Sequence, residues 1–197
     1  MQPGGRTFHQ PQASTPVGVQ WTAVAKLLHW LVAALIALQF VLGWMAATWR
    51  LSPTKLELFV WHKSTGMLVL LLVLVRLGWR LTHPAPELPA GMPRWERIGA
   101  QLSHVLLYAA MLALPLTGWV INSAAGVPFR IYWHIPLPAI VAPDRHVAGI
   151  AAAVHFAIGM ALLLLLVVHV GAALRHHFVK RDDVLSRMLP KGRKKAP

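Results

Sequence analysis

Residues 147–174 have the sequence VAGIAAAVHFAIGMALLLLLVVHVGAAL, which contains five consecutive leucines and no charged side chain. This stretch is longer than the ~20 residues that an α-helix needs to cross the hydrocarbon core of a bilayer. A helix that is apolar on every side is either a membrane span or the centre of a large protein core. A chain of 197 residues is too short to build such a core around it. The stretch therefore predicts a membrane-spanning helix.

Three more apolar stretches of similar length precede it, at residues 23–47, 57–81 and 98–122. The composition is that of a membrane protein: 56% of the residues are hydrophobic and only 13% are charged, against about 25% charged in soluble domains. The expected fold is an all-α integral membrane four-helix bundle. Its predicted parts are an N-terminal tail, a transmembrane domain and a basic C-terminal tail, at 1–22, 23–174 and 175–197. The prolines of Pro128–Pro143 predict an irregular interfacial loop between the last two spans, since proline disfavours helices and central strands.

Basic residues are distributed unevenly between the two sides of this bundle. Only five of the 19 lysines and arginines lie on the side that carries the first and third connections: Arg50, Lys55, Lys63, Arg130 and Arg145. The other 14 lie on the side of both termini and the second connection. Because cytoplasmic loops carry the excess of Lys and Arg, we expect both termini in the cytoplasm. The net charge of +13 then indicates that the basic residues contact membrane lipid headgroups rather than nucleic acid.

The numbers of cysteine and histidine residues limit the kinds of cofactor that the chain could bind. The chain has no cysteine, which excludes disulfides, cysteine-ligated zinc, iron–sulfur clusters and covalently attached c-type haem. It has 11 histidines, a surplus for so apolar a sequence. Two explanations stay open at this point: histidines that hold a cofactor within the membrane, and histidines that serve packing alone.

Two histidines of the last span favour a cofactor. His155 and His169 are 14 residues apart, about 40° short of four helical turns, so they share one face about 21 Å apart along the axis. A planar macrocycle needs one axial ligand from each side, and the partners must come from other helices at matching depth. His62 is predicted to lie at the same depth in the membrane as His155, and His29 at the same depth as His169. The sequence thus predicts two interhelical pairs, His62/His155 outside and His29/His169 inside.

Haem b suits these pairs, because neutral imidazoles ligate its iron and apolar helices surround the porphyrin. Arg76 follows His62 by 14 residues, which puts it on the same helix face at the depth of the inner pair. An arginine within a span needs an interior partner, and a haem propionate is a suitable one. His104 leaves several roles open: replacing His29 as ligand, contacting a propionate, lining a quinone pocket, or packing. His176 and His177 follow the last span and are expected to face lipid headgroups.

These residues belong to motifs that resemble the bacterial cytochrome b561 family, four-helix dihaem b proteins of the inner membrane. The resemblance extends from about Lys26 to Pro190. Its motifs are Leu27-Leu28-His29-Trp30, His62-Lys63-Ser64-Thr65-Gly66, Arg76 to Arg80 with His83-Pro84-Ala85-Pro86, Leu102-Ser103-His104, Leu114-Pro115-Leu116-Thr117-Gly118, His155, and His169 with Gly171 to His177.

The resemblance implies two haem b groups per chain, with iron ligands at His29, His62, His155 and His169. It also implies electron transfer between a quinone, such as ubiquinone, and a second partner. One activity in the family is the oxidation of superoxide outside with reduction of ubiquinone; a periplasmic redox protein is another possible donor. A related group anchors soluble oxidoreductases to the membrane and relays their electrons to quinone, and this alternative stays open. A histidine-based metal transporter is a distant third, because such sites usually add carboxylates.

Overall fold

The computed structural model describes residues 21–84, 86 and 92–189. The predicted N-terminal tail at 1–22 lies outside this range except for its last two residues. Residues 190–197 of the predicted basic tail also lie outside it, as does Ala85 of the quoted motifs.

Four long helices account for most of the described chain. They are α1 (Ala23–Thr48), α2 (Pro53–Thr82), α3 (Arg94–Ala124) and α4 (Arg145–Arg175). Each is long and apolar enough to cross a membrane, which confirms the predicted all-α membrane bundle. The helices extend beyond the apolar stretches by up to four residues, and polar residues cap the starts of two of them. The side chains of Ser52 and Asp144 accept backbone N–H groups at the starts of α2 and α4.

The bundle buries a narrow apolar seam and exposes most of its other large apolar side chains. The helices pack in chain order, α1 on α2, α2 on α3 and α3 on α4. The seam runs through all four helices and consists of Val32, Ile36, Val69, Val73, Leu107, Ala110, Met111 and Leu162. Leucines and valines on the outer faces, among them Leu164 and Val167, are exposed. Such outward-facing apolar surface is typical of helices surrounded by lipid.

A short β-hairpin connects α3 to α4. Strand β1 (Phe129–Ile131) pairs antiparallel with β2 (Ile135–Leu137), with Arg130 opposite Pro136. The prediction of a wholly irregular loop at Pro128–Pro143 is therefore wrong for these six residues. A two-stranded ribbon has only edge strands, and an edge strand tolerates a proline. We call the end of the bundle with this hairpin the hairpin end and the opposite end the tail end.

The chain after α4 folds back across the tail end. A π-helical turn, His176–Lys180, continues the helix. Beyond it the carbonyl oxygens of Met188 and Leu189 accept hydrogen bonds from Trp30 Nε1 and Lys26 Nζ of α1, each at 3.0 Å. Residues 176–189 are thus attached to the bundle.

The expectation that His176 faces lipid headgroups is wrong. Its side chain is buried, its Nδ1 lies 2.5 Å from Asp182 Oδ2, and its Nε2 lies 3.9 Å from Glu96 Oε2. The buried Glu96 also pairs with Arg175 at 3.1 Å and with Lys180. The physical reason is that Asp182 of the returning segment and Glu96 of α3 supply acidic partners on both sides of the ring.

Candidate haem sites

Four of the histidines singled out in the sequence lie in two pairs near opposite ends of the bundle. Near the hairpin end, the rings of His62 (α2) and His155 (α4) have centroids 6.3 Å apart and planes at 75°. Near the tail end, the rings of His29 (α1) and His169 (α4) have centroids 6.4 Å apart and planes at 61°. Each pair joins α4 to a helix from the other half of the chain, and all four side chains are half-buried.

The separation of the rings fits a metal held between them. A metal–imidazole bond of about 2.0 Å on each side places the two ring centroids about 6 Å apart. The buried Nδ1 atoms of His29 and His62 have no hydrogen-bond partner among the described residues. A buried ring nitrogen without a protein partner calls for another partner, and imidazole is a common metal ligand. The residues present therefore fit a haem with two axial histidines, while the assignment of the four ligands stays a prediction.

One glycine makes room for a ring of the hairpin-end pair, and a second lies at ordinary contact distance from the other ring. A Cβ atom on Gly43 of α1 would lie 3.0 Å from His62 Cε1, and one on Gly118 of α3 would lie 3.6 Å from His155 Cε1. Beside Gly118, Thr117 Oγ1 lies 3.0 Å from His155 Nδ1. That hydrogen bond fixes the ring and leaves Nε2 available for a metal, as outer partners of metal-binding histidines do.

A glutamine holds the turn of α2 that carries His62. Gln39 Nε2 donates to the carbonyl oxygen of His62 at 3.0 Å, and a Cβ on Gly66 would lie only 2.9 Å from the same Nε2. The sequence predicts no role for Gln39 or Gly43, and Thr117 enters only as part of the motif Leu114-Pro115-Leu116-Thr117-Gly118. A signal was present at Gln39, an amide within the apolar run of α1, with Gly43 one helical turn further along.

His104 lies beside the tail-end pair. Its ring centroid is 5.5 Å from that of His169, with planes at 64°. The ring of His104 therefore contacts that of His169.

Arg76 lies at the tail end, half-buried, with Cζ 5.7 Å from the centroid of the Tyr108 ring. It forms no ion pair with a carboxylate in the part of the chain that the structure describes. Arg76, Arg80 and Tyr108 line an open cavity of about 230 Å³, together with residues that include Trp79 and Met188. A cation on a membrane helix needs an anionic or polar partner, and this cavity offers room for one.

The metal-transporter alternative gains no support. Across residues 21–84, 86 and 92–189, no group of three or more His, Cys, Asp or Glu side chains is arranged to hold a metal ion.

We expect Gly43→Ala to disturb the hairpin-end site selectively. The new Cβ atom would lie 3.0 Å from His62 Cε1, which is closer than ordinary van der Waals contact. The His62 ring would therefore have to shift. The measurement is the midpoint potential and visible spectrum of each haem in the purified protein. Gly78→Ala is the matched control, since a Cβ at this α2 glycine meets nothing within 4 Å. Equal behaviour of both variants would contradict the close contact between Gly43 and His62.

Known proteins match this chain over most of its length. The family model of the prokaryotic cytochrome b561 matches residues 20–191. Cytochrome b561 homolog 2 of Escherichia coli K12 is 32% identical over 179 residues, covering 87% of this chain and 92% of that protein. Cytochrome b561 homolog 1 of the same strain is 28% identical over 168 residues, covering 83% and 93%. The probable superoxide oxidase CybB of Yersinia pestis is 28% identical over 170 residues, covering 84% and 93%.

A family model that covers most of the chain, relatives matched over nearly their full length and four membrane-length helices lead to one conclusion. The chain belongs to the prokaryotic cytochrome b561 family of haem b-binding electron-transfer proteins, and it is a bacterial membrane protein.

Proposed function

We propose that this protein is a transmembrane dihaem b cytochrome that transfers electrons between a donor outside the membrane and a quinone in the membrane. The observation that carries the proposal is the two interhelical histidine pairs, one near each end of the bundle. In this proposal His62 and His155 hold one haem iron, and His29 and His169 hold the other. Haem b supplies a one-electron carrier at each site when it is bound.

The protein's own residues orient and insulate these sites. Thr117 fixes the His155 ring, and Gln39 fixes the helical turn of His62. At the tail end, Arg76 is the proposed partner of a haem propionate, and His104 supports His169 through ring contact. The apolar seam between the two ends keeps water away from the interior of the bundle. Burial and nearby positive charge are the means by which a protein sets a haem potential.

The proposed location is the bacterial inner membrane, with the tail end and both termini in the cytoplasm. The excess of lysine and arginine at the tail end supports this orientation. The hairpin end then faces the periplasm, where the donor arrives.

Superoxide is the proposed donor at this end. The relative from Yersinia pestis is named a probable superoxide oxidase. The five cations Arg50, Lys55, Lys63, Arg130 and Arg145 outnumber Glu57 and Asp144 at the hairpin end. A cationic entrance attracts a small anion and raises its rate of association.

The first experiment is a reduced-minus-oxidised spectrum of the purified protein with haem quantified per chain. We expect a low-spin b-type spectrum, two haems per chain, and the loss of one haem in His62→Ala or in His29→Ala. His134→Ala, a substitution of an exposed histidine in the hairpin turn, is the control and should keep both haems. One haem per chain, or two in each ligand variant, would refute the assignment of the pairs.

Arg76→Ala should lower the midpoint potential of the tail-end haem. A nearby cation favours the reduced form, which carries one more electron, so its removal favours the oxidised form. The expected shift is on the order of tens of millivolts. Arg76→Lys keeps the charge and should shift the potential less. A redox titration in which Arg76→Ala matches the parent would exclude Arg76 as a neighbour of the haem.

The rate of quinone reduction by superoxide should fall several-fold as ionic strength rises, because salt screens the cations of the hairpin end. Reduction of the same protein by an uncharged reductant serves as the control and should not depend on salt. A salt-independent rate with superoxide would argue against electrostatic attraction at this end.

A further inference from the structure

The turn between β1 and β2 contacts α2 directly beside His62. The backbone N–H of Tyr132 donates to Ser64 Oγ at 2.8 Å, and Tyr132 OH lies 3.1 Å from Thr65 Oγ1. The Trp61 ring meets those of Tyr132 and Trp133 edge-on, with centroids 5.4 and 5.7 Å apart. Three residues of one helical turn thus contact the tip of a hairpin that is almost 70 residues away in sequence.

Lys63, which directly follows His62, also contacts the α3–α4 connection and the end of α3. Lys63 Nζ donates to Asn122 Oδ1 at the end of α3, at 2.8 Å, and lies 5.0 Å from the centroid of the Phe129 ring in β1. Asn122 in turn donates through Nδ2 to the carbonyl oxygen of Val127. On the other side of the turn, Gln39 holds the carbonyl oxygen of His62 itself. The four residues at 61 and 63–65 therefore all have partners in or next to the α3–α4 connection.

The hairpin tip adopts a backbone conformation that its residues do not favour. Tyr132 and Trp133 have φ values of 44° and 65°, and His134 N–H donates to the carbonyl oxygen of Ile131 at 3.0 Å. Two successive turn residues with positive φ are typically Asn-Gly, because side chains with a Cβ are strained in this region. Strain of this kind persists only where surrounding contacts impose it, and it is often found at functional sites. Here the contacts are those with α2.

The contact between the β1–β2 turn and α2 is buried, which makes it rigid. Ser64 is 0% exposed and Thr65 is 3% exposed, so water cannot replace the hairpin as their hydrogen-bond partner. A helical turn fixed on both sides has little freedom to rotate, and the direction of the His62 ring follows its backbone. Outer contacts that orient a ligand in this way tune the metal that it binds.

We propose that the β1–β2 turn is a clamp that positions His62, with Ser64 and Tyr132 as positioning residues that set the orientation of its ring opposite His155. The inference rests on the proposed role of His62 as a haem ligand. In this proposal the hairpin does more than connect two helices. It fixes the ligand geometry of the hairpin-end haem alone, and thereby the midpoint potential of that haem.

The test uses the full-length protein with its haems bound, measured by ferric electron paramagnetic resonance and by redox titration. The largest g value of a low-spin ferric haem depends on the angle between its two imidazole planes, so it reports ring orientation directly. We expect Ser64→Ala and Tyr132→Phe each to shift this value and the midpoint potential for one haem only. The double variant Tyr132→Asn with Trp133→Gly keeps a favourable turn and the backbone N–H that Ser64 accepts, but it loses the side-chain contacts with Trp61 and Thr65. It should shift both values more than Tyr132→Phe does.

Ser123→Ala is the matched control. Ser123 is 4% exposed and its Oγ also accepts a backbone N–H from the α3–α4 connection, that of Ile140 at 3.2 Å, but it lies on α3 and not on the turn of His62. In Ser123→Ala, the largest g value and the midpoint potential of each haem should equal those of the unsubstituted protein. Unchanged signals in Ser64→Ala and in the double variant would overturn the clamp, and so would an equal shift in Ser123→Ala.

His62→Ala separates the failure of the clamp from the failure of the proposed function. If His62→Ala removes one haem signal while the clamp variants leave both in place, the ligand assignment stands and the clamp is wrong. If His62→Ala keeps both signals, the ligand assignment is wrong and the clamp falls with it.

Discussion

Helices in lipid gain almost nothing from the hydrophobic effect when they pack against each other, because lipid tails are as apolar as leucine. The contacts that hold α4, a helix that buries only Ala151 and Leu162 fully, must therefore include polar groups as well as close packing. His155 hydrogen-bonds to Thr117 of α3, and Arg175 pairs with Glu96 of the same helix. Each of the two inward-facing histidines of α4 also meets a histidine from the first half of the chain, so the haems of the proposed function would join α4 to α1 and α2.

The two ends of the bundle stabilise this arrangement differently. Close packing and neutral hydrogen bonds surround the hairpin-end pair, through Gly43, Gly118, Gln39 and Thr117. The tail end relies on charge, with the buried Glu96 joined to Arg175 and Lys180. A buried carboxylate stays ionised at low cost only when it is paired in this way. The hairpin end thus favours a fixed geometry, whereas the tail end is sensitive to electrostatic change.

The sequence predicted what depends on periodicity and length, and missed what depends on distant partners. Four apolar stretches were enough to predict α1 to α4, and the 14-residue spacing on α4 placed two histidines on one face at a definite separation. The roles of Gly43 and Thr117 could not be predicted, since each depends on a ring contributed by a different helix. The hairpin was missed because edge strands accept proline. The burial of His176 was missed because Asp182 covers the ring only where the backbone reverses at Arg181, which has a φ of 56°.

The position of α4 also sets the order in which the protein matures. One histidine of each pair lies on this helix, the last of the four to leave the ribosome, so neither pair exists while the first three helices are being made. Until then His29 and His62 have no opposite ring, and a nascent chain offers a haem at most half of any site. A cofactor that needs both rings of a pair can therefore be held by both only after α4 has been made.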